Sequence, residues 1–182
     1  IYSCGVWKDF SFDREILRKY PKDKIFAFDP TPLYIDWIKK QKLPANFHFF
    51  PLGIGAQNGF EKMYFPKSHG VSYCAISWDT ENKDEITVEM KTLESVANQH
   101  GHQRINILKM DIEGSEFAVL QALDFKRIQF DQLLIEFHER FLENGKIELA
   151  KCLAKLEENG YQCFAISDDF EYSFVRKELI KN

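Results

Sequence analysis

The segment from Ile105 to Glu116 constrains the fold of this chain more than any other. It reads INILKMDIEGSE, a short apolar run that ends in two acids and a glycine, and a helical pattern of apolar residues follows it. In an α/β protein this pattern is typical of a buried strand that carries carboxylates to the carboxyl edge of the sheet, where ligands bind. Asp111 and Glu113 are costly to desolvate unless a ligand, a cation or hydrogen-bond donors hold them. The sequence therefore predicts a site at the end of this strand.

Strands and helices alternate through most of the chain. Apolar runs predict strands at 1–5, 24–29, 46–52, 105–111 and 130–137, and a terminal hairpin at 161–167 and 172–177. Apolar periodicity predicts helices at 12–20, 92–100, 115–123 and 145–159, and Thr31 followed by Pro32 is typical of a further helix start. Repeated strand–helix units imply an α/β fold with a mostly parallel sheet and helices on both faces. The hairpin adds one antiparallel strand at or near the sheet edge.

Residues 59–91 differ in character, because turn-rich sequence separates three short strand-like runs. We predict strands at 62–65, 71–77 and 86–91, which would form a small antiparallel insertion near the site. The length of 182 residues and the lack of a linker-like shift in composition predict one domain over residues 1–182. Ile1 already lies inside a predicted strand, so we expect that the natural amino terminus has been trimmed.

Composition excludes several classes of partner. A net charge of -4 without a basic block argues against a nucleic-acid partner. No stretch of the sequence is long and apolar enough to predict a membrane span. Four scattered cysteines predict free thiols in a reducing compartment, and we expect the cytoplasm. The histidines outside the candidate site are predicted to be surface or loop residues: His48, His69, His100 and His102.

Two residues near the amino terminus suggest a nucleoside site. Gly5 follows the first strand, where a glycine turn brings backbone N–H groups and a helix N-terminus to a ligand. The alternative is simple turn geometry, since the G-x-G-x-x-G pattern is absent. Asp29 ends the second strand, roughly 20 residues further on, where an acid suits both ribose hydroxyls of a nucleoside. It could instead be a solvated strand end or a cap for the helix at Thr31, but its spacing from Gly5 favours the ribose.

The strand over 130–137 carries a second polar pair, Glu136 and His138. If it neighbours the strand that ends at Asp111, three carboxylates and an imidazole gather at one rim of the sheet. That group could hold a divalent cation or place His138 as a general base against a hydroxyl. Without an H-x-x-H motif or a run of carboxylates we predict no metal. The structural alternative is a Glu–His pair that completes a strand end, and we favour the acid–base role.

Several of these segments together resemble a known family. They are Gly5 in the first turn, Phe28-Asp29-Pro30 after the second strand, the Leu108–Glu116 run with its D-x-E-G-x-E motif, and the stretch from Leu134 to His138. In this order the sequence is similar to the FkbM-type S-adenosylmethionine-dependent methyltransferases, roughly over residues 1–177. The resemblance implies a single Rossmann-like class I methyltransferase domain with a seven-stranded sheet.

The resemblance also implies roles for individual residues. The methyl donor S-adenosylmethionine would lie across the first, second and fourth strand ends and leave as S-adenosylhomocysteine. The implied donor-binding residues are Gly5 at the amino-acid end, Asp9 at the ammonium group, Asp29 at the ribose, Gly53 and Ile54 at the adenine, and Asp111 near the sulfonium or the acceptor. Pro30 and Glu113 are also implied to bind the donor. The implied reaction is O-methylation of a hydroxyl on a sugar, a glycan or a small natural product.

The chemistry asks little of the protein beyond alignment. The enzyme has to place the hydroxyl in line with an activated methyl group and accept the hydroxyl proton. We predict that His138 or Asp111 takes that proton and that Glu136 orients His138. Two other classes stay open: a catalytically silent nucleoside-binding or protein-interaction module of the same fold, and an NAD-dependent oxidoreductase. The missing G-x-G-x-x-G and the D-x-E-G motif disfavour the oxidoreductase. The oligomeric state is left open.

Overall fold

The computed structural model describes residues 1–66, 83–168 and 170–180. Within these ranges the strands are β1 (Tyr2–Cys4), β2 (Ile25–Phe28), β3 (Phe47–Phe50), β4 (Gly53–Ile54), β5 (Gly59–Pro66), β6 (Lys83–Lys91), β7 (Arg104–Met110), β8 (Gln129–Glu136), β9 (Tyr161–Ile166) and β10 (Glu171–Arg176). The helices are α1 (Ser11–Lys19), α2 (Pro32–Ile38), α3 (Leu93–His100), α4 (Glu116–Ala122) and α5 (Gly145–Glu158), with short 3₁₀ turns at Glu139–Phe141 and Lys177–Leu179.

The central sheet has seven strands in the order β3-β2-β1-β7-β8-β10-β9. The first five of these pair in parallel. β10 runs antiparallel to both β8 and β9, so the terminal hairpin closes one side of the sheet. This arrangement confirms the predicted α/β fold. Because β1, β2, β7 and β8 are parallel neighbours, their carboxyl ends meet at one edge.

Alternation along β2 shows how the sheet is covered on both faces. Ile25 and Ala27 belong to an apolar cluster with Leu17 of α1 and Ile38 of α2. Phe28 faces the opposite way and joins the larger core. That core also contains buried residues of the other three helices, such as Val96 in α3, Leu120 in α4 and Leu156 in α5. The chain therefore buries both faces of β2, as expected for a strand in a doubly covered parallel sheet.

The second sheet is small and has the order β4-β6-β5. β5 and β6 form the antiparallel insertion that the sequence predicted, although the predicted strand at 71–77 lies outside the described residues. The sequence placed Gly53 and Ile54 at the end of the third strand. The structure corrects this, because these two residues form a strand of their own that pairs in parallel with Met90 and Lys91 of β6.

Helix starts agree closely with the predicted ones. The predicted helix at 92–100 begins at Leu93, and the Thr92 side chain caps it by accepting a hydrogen bond from Ser95 N at 3.1 Å. Thr31 precedes α2 without a side-chain cap bond, although Pro32 does occupy the first turn. The helix predicted from residue 12 begins one residue earlier, at Ser11. None of the helices in the described ranges is long and apolar enough to cross a membrane.

Candidate active site

A cavity of about 430 Å³ opens at the carboxyl edge of the central sheet. This size falls within the usual range for small-molecule and cofactor sites. The sheet and its loops bring all but one of the predicted site residues to its wall, namely Gly5, Asp29, Pro30, Gly53, Ile54, Asp111, Glu113, Glu136 and His138. The wall also contains residues that sequence reasoning passed over, among them Met63 and Met90 from the second sheet and Arg140 and Phe141 after β8.

Asp9 is the predicted site residue that the structure does not bring to this cavity. Its exposed side chain accepts a hydrogen bond from Ser11 N at 2.7 Å at the start of α1. That bond, with the help of the nearby Arg14, holds the pKa of Asp9 below its usual value. The assignment of Asp9 to the ammonium group of the donor stays a prediction, and the contact that the structure shows for Asp9 is with the first residue of α1.

Gly5 is needed for a close approach between the first turn and the end of β7. Its φ is +82°, a left-handed conformation that favours glycine. A Cβ on Gly5 would lie 1.7 Å from the carbonyl oxygen of Asp111, so no other residue fits there. Asp111 N in turn donates to Cys4 O at 3.0 Å. The glycine thus sets how the loop after β1 lies against the segment that carries Asp111, and its backbone lines the cavity.

Asp29 is buried, with 3% of its surface exposed, and both of its carboxylate oxygens accept backbone hydrogen bonds. Oδ2 accepts from Val6 N and from Trp7 N, each at 3.1 Å, and Oδ1 accepts from Thr31 N at 2.9 Å. Burial raises the pKa of Asp29, while these three N–H groups and the Thr31 hydroxyl, which also hydrogen-bonds to the carboxylate, oppose the shift. Asp29 therefore ties the turn after β1 to the start of α2, which is the capping alternative. A carboxylate offers about four acceptor positions, so a ligand hydroxyl would replace one of these four donors.

The wall beside Asp29 is mostly apolar and depends on a second glycine. A Cβ on Gly53 would meet Met90 Sδ at 2.4 Å and Pro30 Cγ at 3.3 Å. Ile54 and Met90 are both 2% exposed and line the same wall. An apolar slot of this kind suits a flat aromatic ligand such as a nucleobase.

The opposite end of the cavity is built around His138. The imidazole is 2% exposed and follows the end of β8. Its Nε2 lies 3.4 Å from Glu136 Oε1, 3.5 Å from Glu113 Oε2 and 3.8 Å from Asp111 Oδ1. The ring stacks on Phe141 with centroids 5.0 Å apart. The three carboxylates and the imidazole predicted to gather at one rim are therefore in contact, because β7 and β8 are neighbours in the sheet.

Glu116 is a fourth carboxylate in this group, and sequence reasoning gave it no role. It is fully buried and lies 3.0 Å from Nδ1 of His138. It also accepts hydrogen bonds from Ile112 N and Gly114 N, which close the loop after β7. Glu113 and Gly114 adopt left-handed φ values of 55° and 101° in that loop. An acid in the first turn of a predicted helix was the available signal, since such acids often bind nearby N–H groups.

Burial and mutual repulsion shift the titration of this group. Burial raises the pKa of Glu113 to about 7, with Asp111 contributing and His138 opposing. Burial, and then Asp111, also raise the pKa of Glu136. For His138, burial lowers the pKa, but the surrounding carboxylates, with Glu116 first, outweigh it and the net pKa is raised. The group can therefore hold or release a proton near neutral pH, as acid–base catalysis requires.

The same residues have the geometry to hold a cation. One ligand atom each from Asp111, Glu113 and His138 lie within 4.8 Å of one another. The sequence predicted no metal, and this stays a prediction that chelation can test. The nearest positive side chains are Lys109, 3.9 Å from Asp111, and Arg140, 3.9 Å from Glu136.

Three histidines that the sequence treated as scattered lie together, away from this cavity. His48, His100 and His102 surround Phe26 with ring centroids 5.2, 4.9 and 4.8 Å away. Nδ1 of His102 is 2.9 Å from the hydroxyl of Tyr2. All three histidines are half-buried, and they lie in β3, at the end of α3 and in the loop before β7, respectively. The prediction of surface or loop residues therefore holds for His102 but misses the packing of His48 and His100, and His69 lies outside the described residues. The cause is tertiary: β2, β3 and the end of α3 meet at this point.

Comparison with known proteins identifies related chains. The family model of the methyltransferase FkbM domain matches residues 3–163. Methyltransferase sdnD of Sordaria araneosa is 28% identical, and the match covers 62% of this chain and 56% of that protein. Methyltransferase 1 of Beauveria bassiana (strain ARSEF 2860) is 25% identical, with 79% of this chain and 65% of that protein covered. The chain thus spans between about half and two thirds of the length of these two relatives.

A solved structure has the same fold. The crystal structure of methyltransferase FkbM from Methylobacillus flagellatus KT matches with a TM-score of 0.53 and 13% sequence identity, over 95% of this chain and 42% of that chain. At this identity the likeness concerns the fold. The family model, in contrast, matches far more than half of the sequence. The resemblance drawn from the sequence is therefore confirmed, and the chain belongs to the methyltransferase FkbM domain family.

Proposed function

We propose that this protein is an S-adenosylmethionine-dependent O-methyltransferase that acts on a hydroxyl of a sugar, a glycan or a small natural product. The observation that carries the proposal is a single cavity with two unlike ends. One end is formed by backbone turns and an apolar slot at β1, β2 and β4, and the other by His138 and its carboxylates. Membership of the family supports methyl transfer as the reaction.

The first end has the features that a nucleoside-containing donor requires. Gly5 exposes backbone to the amino-acid portion, and Asp29 lines the cavity where its carboxylate would accept a ribose hydroxyl in place of one of its present donors. Pro30, Gly53 and Ile54 line the slot for the adenine. When bound there, the donor supplies a methyl group on a sulfonium, which needs no further activation. Asp111 and Glu113 would lie at the junction of the two ends, where negative charge stabilises a sulfonium.

The second end has the groups that receive the hydroxyl proton. As the hydroxyl oxygen bonds to the methyl carbon, the carbon–sulfur bond breaks and its electron pair stays on sulfur. The proton lost by the hydroxyl passes to Nε2 of His138, or to Asp111 if the imidazole is already charged. Glu136, 3.4 Å from Nε2, helps to orient the ring and to stabilise its charged form. A buried imidazole held by carboxylates is suited to this role.

Calorimetry tests the donor assignment directly. We expect S-adenosylmethionine and S-adenosylhomocysteine to bind and NAD to give no detectable heat of binding. Transfer of an isotope-labelled methyl group to a panel of glycosides, polyols and phenolic natural products then tests the reaction. Binding of S-adenosylhomocysteine without transfer to any hydroxyl would favour the silent binding module of the same fold. Binding of NAD alone would contradict the proposal.

A reducing compartment, such as the cytoplasm, is the location we propose. The three cysteines in the described part of the chain, Cys4, Cys152 and Cys163, are free thiols. Burial raises the pKa of the Cys152 thiol to about 11, which makes it unreactive at neutral pH.

A further inference from the structure

Glu116 is a buried carboxylate whose place in the core needs a physical reason. It begins α4 and has none of its surface exposed. Oε1 accepts a hydrogen bond from Ile112 N at 2.8 Å, and Oε2 accepts one from Gly114 N at 3.0 Å. A carboxylate is costly to bury unless such donors hold it. Both bonds lie in the loop that carries Asp111 and Glu113, so one side chain fixes the shape of that loop.

The same carboxylate has a third neighbour outside the loop. Nδ1 of His138 lies 3.0 Å from Oε1 of Glu116, within hydrogen-bond distance. An ionised carboxylate only accepts hydrogen bonds, whereas a neutral imidazole carries one proton on one of its two nitrogens. Because both oxygens of Glu116 already face backbone donors, the proton of this contact belongs to Nδ1. The lone pair of the neutral ring is then on Nε2.

Nε2 is the nitrogen that faces the carboxylates lining the cavity. It lies between 3.4 and 3.8 Å from the nearest carboxylate oxygens of Asp111, Glu113 and Glu136. The ring is also fixed from the side by Phe141, which stacks on it. The imidazole is therefore held by contacts from three directions.

Charged groups on the neighbouring elements do not compete for Nδ1. Arg140, on the 3₁₀ turn after β8, approaches Glu136 rather than the ring. Lys109 of β7 approaches Asp111 at 3.9 Å. Among the residues that the structure describes, Glu116 is the hydrogen-bond partner of Nδ1.

We propose that Glu116 is the positioning residue of this site: it holds His138 as the Nδ1–H tautomer and so directs the lone pair of Nε2 toward the acceptor end of the cavity. The tautomer itself depends only on the geometry of the two side chains. Its consequence for methyl transfer rests on the proposed function, in which Nε2 receives the proton. Glu116 touches neither the donor nor the acceptor and acts through His138 and the loop after β7.

A buried acid behind a catalytic histidine is a known way to select a tautomer. In serine proteases the loss of that charge lowers the rate by about 10⁴-fold although the geometry survives, because the wrong tautomer forms. Here the acid is also tied to the loop that carries two other members of the site. Glu116 therefore couples the position of Asp111 and Glu113 to the orientation of the imidazole.

Nitrogen NMR of the ¹⁵N-histidine-labelled protein tests the tautomer without any acceptor. Spectra are recorded well above the titration of the imidazole, and the His138 signals are assigned by their loss in His138→Gln. We expect a protonated, pyrrole-like Nδ1 and an unprotonated, pyridine-like Nε2 in the wild type. A protonated Nε2 with a bare Nδ1 would overturn the proposal. Because this spectrum needs no turnover, it can succeed even if the proposed reaction is wrong.

Glu116→Gln tests the cause. The amide cannot serve all three contacts as an acceptor, so we expect a loss of the Nδ1–H population and a fall in methyl transfer of about 10²-fold or more. The affinity for S-adenosylhomocysteine should change by less than about threefold, since Glu116 does not line the donor cavity. An unchanged tautomer and an unchanged rate in the folded variant would contradict the proposal. If the variant does not fold, the wild-type spectrum still decides.

Glu94→Gln is the matched control. Glu94 is also an acid in the first turn of a helix, and its Oε1 accepts a backbone hydrogen bond from Asp124 N at 2.9 Å. It lies outside the cavity. We expect a smaller loss of stability, since Glu94 is partly exposed and accepts one such bond, and no change in the His138 signals. A change there as large as in Glu116→Gln would mean that the tautomer responds to general loosening, and would overturn the specific role of Glu116.

Discussion

Nδ1 of His138 lies 3.0 Å from Oε1 of Glu116, although the two residues are 22 positions apart in the chain. Neither side chain has more than 2% of its surface exposed. The contact joins the loop after β7 to the end of β8, which are neighbouring parallel strands. In the sequence, each of these two segments looks like the ordinary end of a strand. Together they form one site.

Asp29→Ala should weaken the binding of S-adenosylhomocysteine by about 2–4 kcal/mol if the carboxylate also accepts a ribose hydroxyl. Three backbone N–H groups also lose their acceptor in this variant. We therefore also expect a loss of about 1–3 kcal/mol in the free energy of unfolding. Calorimetry and urea denaturation measure the two effects separately. Asp36→Ala is the control, since Asp36 is exposed, and unchanged affinity in folded Asp29→Ala would remove the ribose assignment.

Gly5→Ala should destabilise the protein by more than about 3 kcal/mol, because the new Cβ meets the backbone carbonyl of Asp111. Gly101→Ala separates this clash from backbone strain. Gly101 has a similar φ of +70°, but a Cβ there would meet nothing within 4 Å. We expect it to cost about 1–2 kcal/mol, the usual penalty of a left-handed alanine. If urea denaturation showed the same loss in the free energy of unfolding for Gly5→Ala and Gly101→Ala, the close approach to Asp111 would be unimportant.

His138→Ala should lower the rate of methyl transfer by about 10²-fold or more, the usual effect of losing a positioned base. The affinity for S-adenosylhomocysteine should hardly change, because the imidazole lies at the acceptor end. Single-turnover transfer of a labelled methyl group measures the rate, and calorimetry measures the affinity. A variant that keeps its rate but loses stability would make His138 a structural residue and leave Asp111 as the proton acceptor.

Chelation tests whether the group around His138 holds a metal. We expect EDTA to leave methyl transfer unchanged, because the donor, the acceptor and His138 can satisfy the three carboxylates. Loss of turnover that magnesium or manganese restores would instead show that Asp111, Glu113 and His138 form a cation site, which their mutual distances allow. Protein dialysed against the same buffer without EDTA is the control for nonspecific effects of the treatment.

The stability of the protein should fall as pH rises through the titration of Glu113. Burial raises the pKa of Glu113 from 4.5 to about 7, so the folded state binds more protons than the unfolded state between these values. His138 acts in the same direction, since its pKa is raised as well. Its contribution is fully present below the unfolded pKa of about 6.5 and is lost as pH rises through the folded pKa.

Glu113→Gln isolates the contribution of Glu113 to the pH dependence of stability. Glutamine cannot ionise. We therefore expect the free energy of unfolding of the variant, taken relative to the wild type, to be about 1–2 kcal/mol higher at pH 8 than at pH 5. Urea denaturation at both values measures the difference. Glu158→Gln is the control for the change of residue type, because Glu158 is exposed at the end of α5 and does not line the cavity around His138. A Glu113→Gln variant with no pH-dependent gain would contradict the raised pKa.

Local sequence was enough to predict the order of the elements and the location of the site. Apolar runs and helical periodicity are short-range signals, so the strands from β1 to β3, the β7–α4 unit and the terminal hairpin could all be assigned. Parallel strands with crossover helices place their carboxyl ends at one edge. Asp29, Asp111 and Glu136 therefore had to share an edge of the sheet once the strand order was right.

What each side chain does there was decided by tertiary structure. Asp29 takes its three backbone hydrogen bonds from two separate turns, whereas Asp9 accepts one from Ser11 N and does not line the cavity. Gly53 and Ile54 form a strand in the second sheet because β6 offers them a partner 37 positions along the chain. The histidines around Phe26 come from β3 and the end of α3. Such partners depend on strand register and loop geometry, which local propensity does not encode.

The pairing of Glu116 with His138 shows most clearly why tertiary structure decides the partners of these side chains. The sequence shows an acid at a helix start and a histidine after a buried strand, and each is common as a solvated residue. Only the adjacency of β7 and β8 excludes water from both and leaves each as the partner of the other. A buried charge must find its hydrogen bonds within the fold. The sequence by itself therefore determined which chemistry is present, and the tertiary structure decided which atoms it acts through.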